Sequence, residues 1–339
     1  MRSKPYPCGT LIMAGIKSTT LNAETISLIR DYGIGNFIIF KRNVSEGADS
    51  LKRLCEDLKD TCDRAGLPPP IIGVDQEGGS VQRLGPPLWD SLPSASTTGT
   101  APNPQEAVAE LASRAGAMLN AAGINMNLAP VLDIAGPAAK GVLRGRCFGS
   151  DPKAVAQAGV WYIRTIQGLS IAAVAKHFPG IGMVLVDPHL QRPVVDADPD
   201  TVAAQLTPFR LAINAGVSAA MTSHVIFPAL DSKYPATCSR AIAHDLLRKE
   251  MGFQGVLLTD DMEMGGITEH GTVEEAAAMA FLAGHDLLLV CHRPDRIKAT
   301  VRKIQAICKQ DGTARKRLDA SLERIHQLRK KFCSQGNPA

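Results

Sequence analysis

Aromatic side chains are scarce in this sequence, at 4% of the chain. A stacking platform for single-stranded nucleic acid needs several of them along a basic groove, and no basic run here is interleaved with aromatics. Charge of one sign is missing too. The 37 Lys and Arg against 33 Asp and Glu leave a formal charge of only +4, so nucleic acid is not an expected partner. No apolar run approaches the ~20 residues that cross a bilayer, and no membrane partner is expected. The charged start Met-Arg-Ser-Lys leads into no apolar stretch of ~7–15 residues, which argues against a secretory leader and for a cytoplasmic protein. The eight cysteines form no Cys-x-x-Cys pair and read as reduced, mostly buried thiols. There is no His-Glu-x-x-His, no Asp-rich calcium loop and no Gly-x-Ser-x-Gly elbow. Gly33-Ile-Gly35 and Gly180-Ile-Gly182 lack the third glycine of a phosphate loop. Neither a metal nor a cofactor is therefore expected.

What the chain does have is alternation. Short apolar runs at Gly9–Met13, Asn36–Phe40, Pro70–Val74, Asn125–Leu128, Ile171–Ala175, Ala219–Ser223, Val256–Thr259 and Asp286–Val290 read as strands buried on both faces. Helices with readable ends lie between most of them. Asn103-Pro104 opens one that Gly123 closes, Asp151-Pro152 opens another, and Asp198-Pro199 opens a third that runs to Gly216. Thr272 with Glu275 has the spacing of a capping box. A helix over Leu51–Arg64 fits the gap from Phe40 to Pro70, and a Pro-rich loop, Gly85–Pro93, lengthens the next connection. About eight such units predict a (β/α)8 TIM-type barrel, one domain over residues 1–339. A basic helix at about 315–333 is expected to pack outside it.

Polar residues then stand where a plain core would not want them. Asp75 follows the third strand run, Lys176 and His177 the fifth, His224 the sixth, Asp260 and Asp261 the seventh, and Cys291 and His292 the eighth. In a barrel all of these positions reach the carboxyl-end face, where such enzymes keep their active sites. Carboxylates, one lysine and histidines suit glycosidic cleavage, which needs a carboxylate at the anomeric carbon and a proton donor at the leaving oxygen. They also suit a Schiff-base lysine.

Six segments in order carry a resemblance: Val74-Asp-Gln-Glu-Gly-Gly-Ser-Val-Gln-Arg83, Asn127-Leu-Ala-Pro-Val-Leu-Asp133, Arg146-Cys-Phe-Gly-Ser-Asp151, Lys176-His-Phe-Pro-Gly180, Asp187-Pro-His189 and Thr259-Asp-Asp261. Together they resemble family 3 glycoside hydrolases of the bacterial cytoplasmic β-N-acetylglucosaminidase type, over nearly the whole chain. The resemblance implies retaining exo-hydrolysis of terminal β-linked N-acetylglucosamine, with cell-wall muropeptides as the source. It implies Asp260 as nucleophile and His189, paired with Asp187, as acid/base. Asp75, Arg83, Arg146, Lys176 and His177 would hold the sugar. For the two arginines, ion pairing with Asp75 or Asp133 is the plain alternative. Asp261 fits a structural role, and His224 and His292 match no family role.

Asp187 and His189 can lie side by side, because residues i and i+2 of an extended segment share a face and Pro188 favours that conformation. The carboxylate would then orient the imidazole and raise its pKa. Two positions depart from the family pattern: Ile181 stands where His or Arg is usual, and Pro188 where Ser is usual. Both bear on loop closure and substrate range rather than on the proton carriers. Rival readings are phosphorolysis of the same linkage, a Schiff-base aldolase using Lys176, and a non-catalytic sugar-binding barrel.

Overall fold

The computed structural model describes residues 7–135, 141–183, 193–268 and 271–333. Eight parallel strands close into a barrel. They are β1 (Ile12–Gly15), β2 (Asn36–Ile39), β3 (Ile71–Val74), β6 (Met126–Asn127), β7 (Ala172–Phe178), β8 (Ala219–Thr222), β9 (Val256–Asp261) and β10 (Leu287–Val290). A small hairpin, β4 (Gln76–Gly78) and β5 (Val81–Gln82), stands above β3. The barrel closes where Ile12 pairs with Leu288. The expected (β/α)8 architecture is thus present.

Helices alternate with the strands: α1 (Ala23–Tyr32), α2 (Ala48–Arg64), the short α3 (Ala95–Gly99), α4 (Pro104–Ala122), α5 (Pro152–Gly168), α6 (Pro199–Asn214), the short α7 (Gly265–Thr268), α8 (Val273–Ala283) and α9 (Pro294–Gln310). A π-helix, Ala241–Glu250, takes the place of the α-helix between β8 and β9. The helix ends form for the reasons their residues suggest. Asn103, Asp151 and Asp198 each accept a backbone N–H three residues on, and each is followed by a proline that has no N–H to lose. Thr272 and Glu275 make the reciprocal capping box. Gly123 ends α4 at φ 77°, a conformation open to it because it has no Cβ.

Strand ends differ from the sequence reading in ways that matter at the rim. The first strand begins at Ile12, because Pro7–Leu11 winds as a 3-10 turn. Two strands run further than expected. β7 continues through Lys176 and His177 to Phe178, and β9 continues through Asp260 to Asp261. Polarity does not end these strands, since the barrel ladder satisfies their backbone while their side chains point into the mouth.

The basic tail forms α10 (Gly312–Phe332) and closes the far end of the barrel. Its anchor is Asp286, fully buried, which pairs with Arg248 of the π-helix and with Arg317 and Arg324 of α10. Ser321 Oγ donates to the same carboxylate at 2.7 Å and Leu257 N at 3.0 Å. Burial alone would raise the Asp286 carboxyl, but the three guanidiniums keep it below the ordinary range. All eight cysteines are free thiols.

Candidate active site

The mouth at the carboxyl ends of the strands opens into a cleft of about 690 Å³. Asp75, Arg83, Arg146, Lys176, His177 and Asp260 all line it, so six of the eight predicted site residues converge. Asp187 and His189 lie outside the described residues.

One wall is a dense charge cluster. Asp75 leaves the end of β3, and Glu77 follows two residues later on the same side of β4. Lys176, on β7 and 2% exposed, donates to Asp75 Oδ1 at 2.8 Å and pairs with Glu77 Oε1 at 2.7 Å. Arg83 donates to Asp75 Oδ2 at 3.2 Å, and its buried Nε has no partner among the described residues. Arg146 grips Glu77 with two prongs, Nε at 2.7 Å and Nη2 at 2.8 Å. Burial alone would raise the Asp75 carboxyl, but Lys176, Arg83 and Arg146 outweigh it and bring it down to about 2. Burial would likewise lower Lys176, but Asp75 and Glu77 hold its ammonium above the ordinary value. A lysine kept so firmly protonated is a hydrogen-bond donor and a poor amine nucleophile, which disfavours the Schiff-base reading.

The plain alternative for the arginines is met in half. Arg83 pairs with Asp75, whereas the carboxylate gripping Arg146 is Glu77. Asp133 serves a different partner. Its Oδ2 accepts from His177 Nδ1 at 2.7 Å, and its Oδ1 accepts from the backbone of Ile181 at 2.8 Å. Because Nδ1–H is committed to that carboxylate, Nε2 is the ring nitrogen of His177 left for the cleft.

The opposite wall belongs to β9. In the closed strand order β9 and β3 stand four positions apart either way round, so Asp260 sits across the mouth from Asp75. Asp260 Oδ1 accepts from the backbone of Asp261 at 2.8 Å. Asp261 turns its own carboxylate aside, to Glu263 N at 3.1 Å and to His292 Nε2 at 3.0 Å. Burial, with help from the nearby Asp260 and Glu263 carboxylates, raises the Asp261 carboxyl to about 6. The two adjacent aspartates both line the cleft but are held differently: Asp260 by one backbone N–H among the described residues, and Asp261 by Glu263 N and His292 at the rim.

Sequence reasoning missed Glu77 as a site residue, although it stands inside the Val74–Arg83 segment. The signal was available in its spacing of two from Asp75, which on a strand means the same face. It also missed that His224 and His292 both end on Asp261, because their partners are far apart in the chain.

The chain matches the family model described as the glycosyl hydrolase family 3 N terminal domain over residues 8–328. A β-hexosaminidase of Thiobacillus denitrificans is 36% identical over 300 residues, covering 86% of this chain and 81% of that one. The solved β-N-acetylhexosaminidase of Beutenbergia cavernae superposes with a TM-score of 0.89 at 30% identity, over 97% of this chain and 99% of that one. A family 3 β-N-acetylglucosaminidase from Paenibacillus gives a TM-score of 0.90 at 34% identity over 98% of this chain, which spans 63% of that longer protein. A family match over nearly the whole chain joins the barrel, its polar mouth and the paired carboxylates on facing walls, and this chain belongs to glycosyl hydrolase family 3.

Proposed function

We propose that this protein is a β-N-acetylhexosaminidase that releases terminal, non-reducing β-linked N-acetylglucosamine with retention of configuration. The observation that carries the reading is the facing of Asp260 and the charge cluster across one cleft. The cluster offers what a sugar needs at its hydroxyls. Asp75 accepts, Lys176, Arg83 and Arg146 donate, and Glu77 behind them keeps Lys176 and Arg146 in place. Asp260, four strands away, meets the other end of the ring, where a carboxylate can attack the anomeric carbon and form a glycosyl ester. His189, oriented by Asp187, donates the proton to the leaving oxygen and then takes one from the incoming water.

The relatives named β-hexosaminidase and β-N-acetylhexosaminidase support the substrate class. Muropeptides in the cytoplasm are the proposed natural source. Incubating the enzyme with purified muropeptides and following loss of one N-acetylhexosamine by mass spectrometry checks that part.

Turnover of 4-nitrophenyl N-acetyl-β-glucosaminide tests the mechanism. Asp260→Ala and His189→Ala are each expected to lose at least about 100-fold in kcat. A 5-fluoro glycosyl donor is expected to label Asp260. Normal turnover of Asp260→Ala, or a label on another residue, refutes the assignment. Product analysis with and without phosphate separates hydrolysis from phosphorolysis.

A further inference from the structure

The two histidines without a family role converge on one residue. His292 reaches Asp261 from the exposed rim, through its carboxylate. His224, 3% exposed, reaches it from beneath, where Nε2 donates to the Asp261 backbone carbonyl at 2.9 Å. Asp261 is also the residue whose N–H holds Asp260 Oδ1. With its carbonyl held on one side and its carboxylate on the other, residue 261 has little freedom to turn about its own dihedrals. The direction of its N–H is fixed with them.

His224 is itself held. Its Nδ1 lies 2.8 Å from Thr237 Oγ1, which lies 3.1 Å from Thr222 Oγ1. Thr222 Oγ1 in turn lies 2.8 Å from His285 Nε2, and His285 Nδ1 lies 3.0 Å from the Ala280 carbonyl. Thr222, Thr237 and His285 are fully buried.

The protons on this line can be assigned by donor accounting. A carbonyl only accepts, so His285 Nδ1 carries a hydrogen. Burial, the largest influence on the ring, drives its pKa down to about 3 and keeps it neutral, so Nε2 is bare and takes the Thr222 hydroxyl proton. The Asp261 carbonyl only accepts, so in its contact with His224 the hydrogen sits on Nε2, and Nδ1 takes the Thr237 hydroxyl proton.

We propose that Thr237 and His224 form a buried hydrogen-bonded brace that sets the backbone of Asp261 and so aims the Asp260 carboxylate at the substrate. His224 and Thr237 are positioning residues, and the proposal rests on the reading of Asp260 as nucleophile. The sugar-gripping cluster hangs from other strands, so the brace acts on the chemical step and leaves binding alone.

Thr237→Val keeps the side chain's size and removes its hydroxyl. It is expected to lower kcat on 4-nitrophenyl N-acetyl-β-glucosaminide about tenfold, since small misalignments of a reacting group are costly, with KM within about twofold. Thr237→Ser is expected to restore kcat. Normal kcat in folded Thr237→Val, or a loss that serine does not repair, overturns the brace. Should Thr237→Val fail to fold, His224→Gln and His224→Leu decide. Glutamine keeps a donor for the Asp261 carbonyl and is expected to retain about tenfold more kcat than leucine, and equal rates overturn the proposal. Asp260→Ala separates the two readings. If turnover persists without Asp260, nucleophile and brace both fall. If it is lost while Thr237→Val runs normally, the brace alone falls.

Discussion

Glutamine in place of Glu77 would remove one negative charge from the most densely charged part of the mouth. Glu77 is 5% exposed and is shared by Arg146, through two contacts, and by Lys176. The variant leaves Arg83 and Lys176 with Asp75 and takes from Arg146 the carboxylate it grips. It also turns an –NH2 toward groups that can only donate. Removing one partner of a buried ion pair costs about 3–5 kcal/mol, because the remaining charges stay desolvated without compensation. For 339 residues, with an unfolding entropy near 2.1 cal/mol/K per residue, that becomes a fall in Tm of about 4–7 °C.

The pH dependence of that gap has a definite sign. Burial alone would raise the Glu77 carboxyl, but Lys176 and Arg146 hold it below its usual value. A depressed carboxylate contributes its stability above the unfolded pKa and loses it as pH falls through the lower folded one. The difference between wild type and Glu77→Gln is therefore full at pH 7 and begins to close only below about pH 4. Thermal unfolding of both proteins at pH 7 and at about pH 3 is the assay, with KM read alongside because Arg146 loses the carboxylate that fixes it. A Tm change under about 2 °C at pH 7 would refute the argument that Glu77 is the buried ionic partner of Arg146 and Lys176.

Other expectations are simpler to state. Sodium borohydride with small aldehydes at pH 7 should leave Lys176 unmodified in peptide mapping by mass spectrometry, since its ammonium is held protonated by Asp75 and Glu77. Asp261 has the opposite sign to Glu77. Its carboxyl is raised to about 6, so its charged form is disfavoured in the fold and stability is lost as pH rises from about 4 through about 6. Asp261→Asn lacks that loss, and urea titrations should show it gaining about 1–3 kcal/mol on wild type between pH 4 and pH 7. Asp286→Asn would leave three arginines around a neutral amide at the barrel's far end. It should cost about 3–5 kcal/mol and expose α10 to limited trypsin digestion, and an unchanged digestion pattern would contradict the anchor.

The barrel was legible because its signals are local. Buried parallel strands read as apolar runs, and helix ends announce themselves through residues such as Asn103 and Thr272, whose partners lie three positions away. Strand ends were misjudged where a polar residue was taken as the end of a run, as at Lys176 and Asp260. The site was legible in part for a related reason. A residue type after a strand can be seen in one dimension, so Asp75, Lys176 and Asp260 stood out. Which carboxylate meets which cation is decided by closure of the barrel. The 2.7 Å contact between Arg146 and Glu77 joins residues 69 apart, and the Arg248–Asp286 pair joins residues 38 apart. No periodicity encodes either.

Asp133 ties this distinction to the loop that begins at Ile181. One of its oxygens fixes the ring of His177 and the other takes the backbone N–H of Ile181. The Ile181 side chain is itself buried and lines the cleft. Because the anchoring contact uses the backbone, a polar side chain at 181 is not required for it. Exchanging His or Arg for Ile gives up a polar group in the cleft and keeps the anchor. The segment that leads toward Asp187 and His189 therefore starts from a point fixed to the carboxylate that also orients His177, which lines the cleft. The consequence of Ile181 falls on which substituents the cleft accepts, more than on where that segment begins.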